Sequence, residues 1–396
     1  MAEVPREVWI TGIGMVSCLG DGAEAHWQGF TEGRLELELD RFAPYMVHPL
    51  ARLNLDRQIP KKSDQRQMEG WQRIGTYAAG LALESAGLKG NAELLARMDM
   101  IVAASGGERD IAVDSAVLSN KAKSANPGVF LNERLMSDLR PTLFLAQLSN
   151  LLAGNISIVH GVTGSSRTFM GEETAGVDAV RIAFARIMAG QSQLALVGGS
   201  YNGEREDLLL LYNSGGQLLQ APFKPVWERS SSPGMVLGSL GAFLVLEGRT
   251  HAEERGAKPL ARLVGVRSER GRPGLAVTAT LVRIWQQLAP SRLPGHMAII
   301  SGATGTEPAT GDERAWLETM PESPVRATGS RLGHGFEPQF PLNIALAALV
   351  LDREKLFPGF DSSGLEQPYA GSLDRVAVTS VGHWRGEGIA LVEAVK

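Results

Sequence analysis

The sequence predicts a layered α/β fold built from two similar halves, and three observations carry that prediction. Short apolar runs that read as buried strands alternate with longer segments in which apolar residues recur at helical spacing. The strand-and-glycine opening at residues 7–14 has a counterpart at 260–267, which marks two equivalent starts. Glycine supplies 46 of 396 residues, above the usual ~7%, which suits many tight turns and close backbone approaches.

Taken in order, Glu7–Gly14 reads as a buried strand running into a glycine turn, and 22–33 as a helix. Residues 36–60 carry no clean period and read as loop with short elements. Met68, Trp71, Ile74, Tyr77, Ala78, Leu81 and Ala82 stand at helical spacing, which predicts one amphipathic helix over 64–86, stopped by Gly87. Met98–Ala104 is a strand. The Asn126-Pro127-Gly128 turn divides 110–150, and 141–153 read as a helix closed by Gly154. Thr174–Met188 is a helix ended by Gly190, and Leu194–Val197 and 241–247 are strands. A polar stretch at 248–258 marks the boundary between a first half, 1–250, with an insertion at about 36–150, and a second half, 251–396. The second half repeats the theme: a strand at Leu260–Val266, a helix over about 274–288, a strand at Ala298–Ser301, and a helix from Asp312 to Glu318. An apolar helix at Leu342–Leu351 and strands at Val376–Thr379 and Ile389–Val395 complete it.

Composition excludes several function classes. Net charge is −4 and no long basic run exists, so nucleic acid is not an expected partner. No apolar run approaches the ~20 residues that span a bilayer, and the first residues lack a signal peptide's apolar stretch, so the cytoplasm is the expected location. With Cys18 as its single cysteine, the chain has no internal disulfide framework and no cysteine-based zinc cluster. The seven histidines are scattered without metal-ligand spacing.

Several spans, in register over nearly the whole chain, carry a family resemblance. Trp9-Ile10-Thr11-Gly12-Ile13-Gly14-Met15-Val16-Ser17-Cys18-Leu19-Gly20, Pro222-Phe223-Lys224, Ser232-Pro233-Gly234-Met235-Val236-Leu237-Gly238, Phe243-Leu244-Val245-Leu246-Glu247, His251-Ala252-Glu253-Glu254-Arg255-Gly256-Ala257-Lys258 and Leu332-Gly333-His334 together resemble the β-ketoacyl-ACP synthase (ketosynthase) family. The resemblance implies a thiolase-like, five-layered αβαβα fold of two similar halves, with dimer and cap elements in the insertion and no cofactor. It also implies a decarboxylative Claisen condensation. There a cysteine at a helix N-terminus takes an acyl group from acyl carrier protein, and two histidines assist decarboxylation of malonyl-ACP.

At the positions that do this chemistry the sequence departs from the family. The family's T-A-C-x-S-G-x-x-A-I aligns with Gly171-Glu172-Glu173-Thr174-Ala175-Gly176-Val177-Asp178-Ala179-Val180, which puts Glu173 at the nucleophile position, and a carboxylate carries no transferable thioester. Cys18 falls where the family has a proline and reads as a small buried hydrophobe. The first histidine becomes Thr304, followed by Gly305 and Thr306, and a hydroxyl does not shuttle protons near pH 7. The second histidine is kept as His334, but the family lysine five residues earlier is Gly329. The terminal glycine loop becomes Gly382-His383-Trp384-Arg385-Gly386-Glu387-Gly388, longer and bulkier, with His383 or Trp384 placed to block the acyl tunnel. Thr306, Gly382, His383 and Trp384 are the expected substrate-side residues, and no metal ligand is expected. At a helix N-terminus Glu173 would be held by backbone N–H groups and paired with His334.

The reading that follows is a ketosynthase homologue of fatty-acid or polyketide biosynthesis that does not condense by itself. It would act like a chain length factor, in a dimer with an active ketosynthase, with acyl carrier protein as a further partner. A strand at about 165–170 would pair across the dimer axis. Two alternatives stand beside it: a 3-oxoacyl-ACP synthase or malonyl-ACP decarboxylase with a non-standard site, and an acyl-ACP-binding homodimer. Lys61, Lys62, Arg66 and Arg73 form a basic cluster suited to an acidic carrier protein, or simply a solvated helix face.

Overall fold

The structure is a computed structural model that describes residues 6–138, 147–271, 276–289, 295–384 and 386–395. Its strands are β1 (Val8–Ser17), β2 (Gly20–Asp21), β3 (Val47–His48), β4 (Asp99–Ala104), β5 (Ser166–Phe169), β6 (Leu194–Tyr201), β7 (Leu237–Gly238), β8 (Leu240–Gly248), β9 (Ala261–Glu269), β10 (Met297–Ser301), β11 (Val325–Ala327), β12 (Arg375–Val381) and β13 (Glu387–Glu393). The large sheet runs β11-β10-β12-β13-β9-β1-β8-β6-β4-β5, with β2 hooked onto β1.

That order is one pattern used twice. Counting β1, β4, β5, β6 and β8 as one set and β9 to β13 as another, the outermost strand of each set is its third member. Next inward come the second, fourth, fifth and first. The senses repeat as well, parallel among the outer three strands and antiparallel among the inner ones. The two sets meet where Val8–Ile10 of β1 pair with Ala261–Leu263 of β9.

Strands β1, β4, β6 and β8 read as nearly continuous apolar runs because both of their faces are buried. Ala242, Leu244 and Leu246 of β8 and Ala195 and Val197 of β6 point into a central core. Their neighbours Phe243, Val245, Leu194 and Leu196 point the other way, against helices Gly70–Ser85 and Leu151–His160. In the second set Val376 and Val378 face the same central core, while Ala377 and Val381 face helices Val277–Leu288 and Ala309–Leu317. The central core is filled from between by helices Glu172–Met188 and Gln339–Asp352. The result is five layers, helix, sheet, helix, sheet, helix.

Three expected elements need correction. The predicted helix over 64–86 is two helices, Lys62–Gln67 and Gly70–Ser85, because Met68 turns extended and Glu69 with Gln72 forms a capping box that restarts the chain. Gly154 does not close a helix. It lies inside Leu151–His160, which ends at Gly161 in the left-handed region at φ 79°; residues 139–146 of that expected helix lie outside the described ones. Helix Thr174–Met188 begins two residues earlier, at Glu172. Among the described residues no helix is long and apolar enough to cross a membrane.

Candidate functional site

The site begins with a turn. Strand β5 ends at Phe169 and the central helix starts at Glu172, so Met170 and Gly171 must reverse the chain in two residues. Gly171 takes φ 132° and Glu172, unusually for a residue with a side chain, φ 55°. Such a backbone costs of order 1–3 kcal/mol and is held by its surroundings. One hold is Gly176, where a Cβ would meet the carbonyl oxygen of Glu337 at 2.3 Å. Only glycine lets the helix lie this close to the loop after His334.

The turn drives Glu173 inward. The residue is 2% exposed, and its Oε1 accepts from His334 Nε2 at 2.8 Å, His383 Nδ1 at 2.9 Å and the His383 backbone N–H at 3.1 Å. His334 arrives on a clamped backbone, its N–H donating to Val236 and its carbonyl accepting from Gly238. His383 arrives from the hairpin loop between β12 and β13. The walls are aromatic: Phe336 meets both imidazoles edge-on, with ring centroids 4.6 Å from His334 and 5.2 Å from His383, and stacks on Tyr212 at 4.8 Å.

The electrostatics follow from this packing. Burial works against a charged Glu173, but the His383 charge and the hydrogen bonds from both histidines outweigh it and hold the carboxyl well below the usual range. Burial pushes His383 down, yet the charge and hydrogen bond of Glu173 and the charge of Glu172 raise it above its ordinary value. Glu337 is pushed up to about 8 by burial and by the charges of Glu173 and Glu172. His334 donates through Nε2 to Glu173, and its buried Nδ1 has no protein partner. The unit is an ion pair between Glu173 and His383, with the His334 imidazole donating to the same oxygen.

The expected residues divide. Glu173, His334 and His383 come together. Thr304 does not join them: its hydroxyl pairs with the Thr306 hydroxyl at 2.7 Å and accepts the Thr306 backbone N–H. Thr306, His383 and Trp384 line an open cavity of about 620 Å³, and Gly382 is buried without lining it. Trp384 does not plug the interior, as it is 74% exposed; it is His383 that folds in. Cys18 is no hidden nucleophile. It is buried against the carbonyl oxygen of Arg331 and His48, and burial pushes its thiol up to about 12. Two members of the basic cluster are engaged locally, Lys62 with Asp56 and Arg73 with the Met68 carbonyl.

Sequence reasoning missed Glu172, Tyr212 and Glu337. Tyr212 donates to Glu172 Oε1 at 3.1 Å. Glu172, Glu173 and His383 each offer a metal-ligating atom, all within 4.8 Å of one another. Spacing along the chain cannot reveal a set whose members lie 210 residues apart; the paired acids at 172 and 173 were its only local trace.

The family model described as "Beta-ketoacyl synthase, N-terminal domain" matches residues 5–252. The chain is 27% identical over 273 residues to 3-oxoacyl-[acyl-carrier-protein] synthase 2 of Vibrio harveyi, covering 66% of this chain and 62% of that protein, so the match spans less than two thirds of that relative. It is 25% identical over 393 residues to the tetracenomycin polyketide synthase ketoacyl synthase beta subunit of Streptomyces glaucescens, covering 93% of this chain and 91% of that protein. Among solved structures, the ishigamide ketosynthase/chain length factor superposes with a TM-score of 0.82 at 19% identity over 99% of this chain and 100% of that one. A beta-ketoacyl synthase from Burkholderia phymatum STM815 gives 0.78 at 19% identity over the same shares. At these identities the structural matches speak to the fold, which is the thiolase-like ketosynthase fold.

Proposed function

The chain belongs to the beta-ketoacyl synthase family, and we propose that it is a member that does not condense by itself and instead serves as a chain-length-factor-like partner of an active ketosynthase. The observation that carries this reading is the state of Glu173. It stands where the family nucleophile would be, ionised and tied by three hydrogen bonds to His334 and His383, and the chain's single thiol is engaged elsewhere. An acyl group has no sulfur to join there, and His383, which would have to move for a substrate to enter, is pinned by the acid.

A binding role needs a surface. Strand β5 ends the sheet order, pairing with β4 alone among the described strands, so its other edge is open. Apolar side chains stand exposed beside it, Met170 at 63% and Ile158 at 73%. An open edge flanked by apolar residues suits pairing with a second ketosynthase fold across a two-fold axis. The similarity to the ketoacyl synthase beta subunit of the tetracenomycin polyketide synthase supports the same reading. We further propose that the two topological repeats correspond to halves 1–250 and 251–396, and that fatty-acid- or polyketide-type biosynthesis is the setting.

The cavity beside His383 and Trp384 favours a second component, binding of a carrier-protein arm without chemistry. The test is co-expression with candidate active ketosynthases, followed by a condensation assay on acyl- and malonyl-loaded carrier protein. The expected result is a co-purifying pair that makes product, and no product from this chain alone. Condensation or carbon dioxide release by this chain alone would overturn the proposal in favour of an enzyme with a non-standard site; a homodimer indifferent to every such partner would overturn it in favour of an acyl-carrier-binding homodimer.

A further inference from the structure

We propose that residues 356–367 act as an edge guard. They seal the β11 end of the large sheet against strand pairing with a second copy of this chain, and so confine association through the sheet to its β5 end. This goes beyond the partner role proposed above, and the test of the guard does not depend on that role.

The repeated strand order makes two places in the sheet equivalent. β5 and β11 are the third strands of their sets and the two ends of the sheet, each with one neighbour among the described strands. A bare sheet end is a template for another chain. At β5 the end is bare: Ser166 and Arg167 are exposed, and Thr168 and Phe169 are half-buried. At β11 it is covered, as Val325, Arg326 and Ala327 are 2%, 1% and 0% exposed. Two bare ends on one molecule are the head-to-tail arrangement that grows open-ended assemblies, whereas one bare end closes on a single partner.

Side chains stand in for the missing neighbour strand at β11. The Ala327 N–H donates to Glu366 Oε1 at 2.7 Å, and the Val325 carbonyl accepts from Arg326 Nη1 at 2.6 Å. Glu366 Oε2 accepts the Phe360 N–H at 2.8 Å, so one buried carboxyl joins the strand to the segment that covers it. Arg326 adds two ties to the same segment, from Nε to the Phe357 carbonyl at 2.7 Å and from Nη1 to the Gln367 carbonyl at 3.1 Å. The segment is fixed in turn. Phe357 stacks on Phe30 with ring centroids 4.5 Å apart, the Arg331 guanidinium lies 4.5 Å from the centre of the Phe360 ring, and the Ser362 N–H donates to Glu228 at 2.8 Å. At Gly359 a Cβ would meet the Glu366 carbonyl oxygen at 2.5 Å, so this glycine lets the segment double back on itself. Without the Glu366 carboxyl the Ala327 N–H loses its partner, and a buried donor must find another; the strand edge of a second copy supplies one.

Sedimentation velocity over a concentration series, with hydrogen exchange of the 325–328 amides, tests this on the full-length chain and on Glu366→Ala. The native chain is expected to keep Ala327 protected and to reach one limiting size. Glu366→Ala, checked for folding by circular dichroism, is expected to lose protection at Ala327 by roughly tenfold or more at low concentration. As concentration rises it should form larger species in which that protection returns. Should Glu366→Ala not fold, Glu366→Gln, which keeps the side-chain shape and loses one acceptor, takes its place. Three results would overturn the proposal: Ala327 still protected in the folded variant, Ala327 exposed with no growth beyond the native size, or growth without renewed protection at Ala327. Failure of the partner reading would appear instead in the condensation and co-purification assays, with size and exchange unchanged.

Discussion

At residue scale, Glu173 is stabilised because three donors converge on one buried oxygen, and those donors are left unpaired without it. Removing one partner of a buried, hydrogen-bonded ion pair typically costs ~3–5 kcal/mol. Glu173→Ala should therefore lower unfolding free energy by about that much in urea titrations. Glu173→Gln, which keeps an acceptor but loses the charge, should cost about 1–3 kcal/mol. A change below ~0.5 kcal/mol for Glu173→Ala, the size of an ordinary surface substitution, would show that the histidines do not rely on it. A second residue-scale prediction concerns Glu313, buried between the hydroxyls of Ser301 and Thr379 and pushed up to about 7 by burial despite those bonds. A carboxyl whose folded value is raised favours the folded state fully at acid pH. That contribution is lost as pH rises from the ordinary carboxylate value through 7. Glu313→Gln does not titrate, so its stability relative to the native chain should rise by roughly 3 kcal/mol between pH 4 and pH 8. A difference independent of pH would contradict the raised value.

At the scale of elements, the central helix is positioned by close approach. Gly176→Ala places a methyl against the Glu337 carbonyl and should cost about 1–3 kcal/mol through overpacking. It should also loosen the His334–Glu173 contact, visible as faster hydrogen exchange at the start of the helix; a neutral effect on both would show that the approach is slack. The helix itself was legible from its period and from Gly190, because a buried helix must repeat its apolar positions. The split at Met68–Glu69 was not, because apolar spacing runs on through a capping box that breaks only the backbone. Gly154 misled for a related reason: glycine closes a helix only where the chain turns left-handed, and that happens at Gly161. At the site, Glu173 and His334 were legible through the register of neighbouring glycines. Tyr212 and Glu337 had no local signal, since their roles arise from segments that meet only in the fold.

At the scale of the whole molecule, a repeated strand order brings together the start of a central helix with Glu173, the loop before the second central helix with His334 and the β12–β13 hairpin with His383, and β5 ends the sheet order, pairing with β4 alone among the described strands. On the proposed reading the regular scaffold, with a buried acid at the nucleophile position, serves to shape an assembly. A charge placed on the exposed apolar rim, Ile158→Lys, should leave this chain's own melting temperature within a few degrees but lower the yield of any co-purified pair. Unchanged yield would move the interface elsewhere.

The most direct measurement is intact-protein mass spectrometry of the co-purified pair after incubation with acyl-loaded carrier protein. The account predicts an acyl adduct on the partner ketosynthase and an unmodified mass for this chain. An acyl adduct on this chain would contradict it.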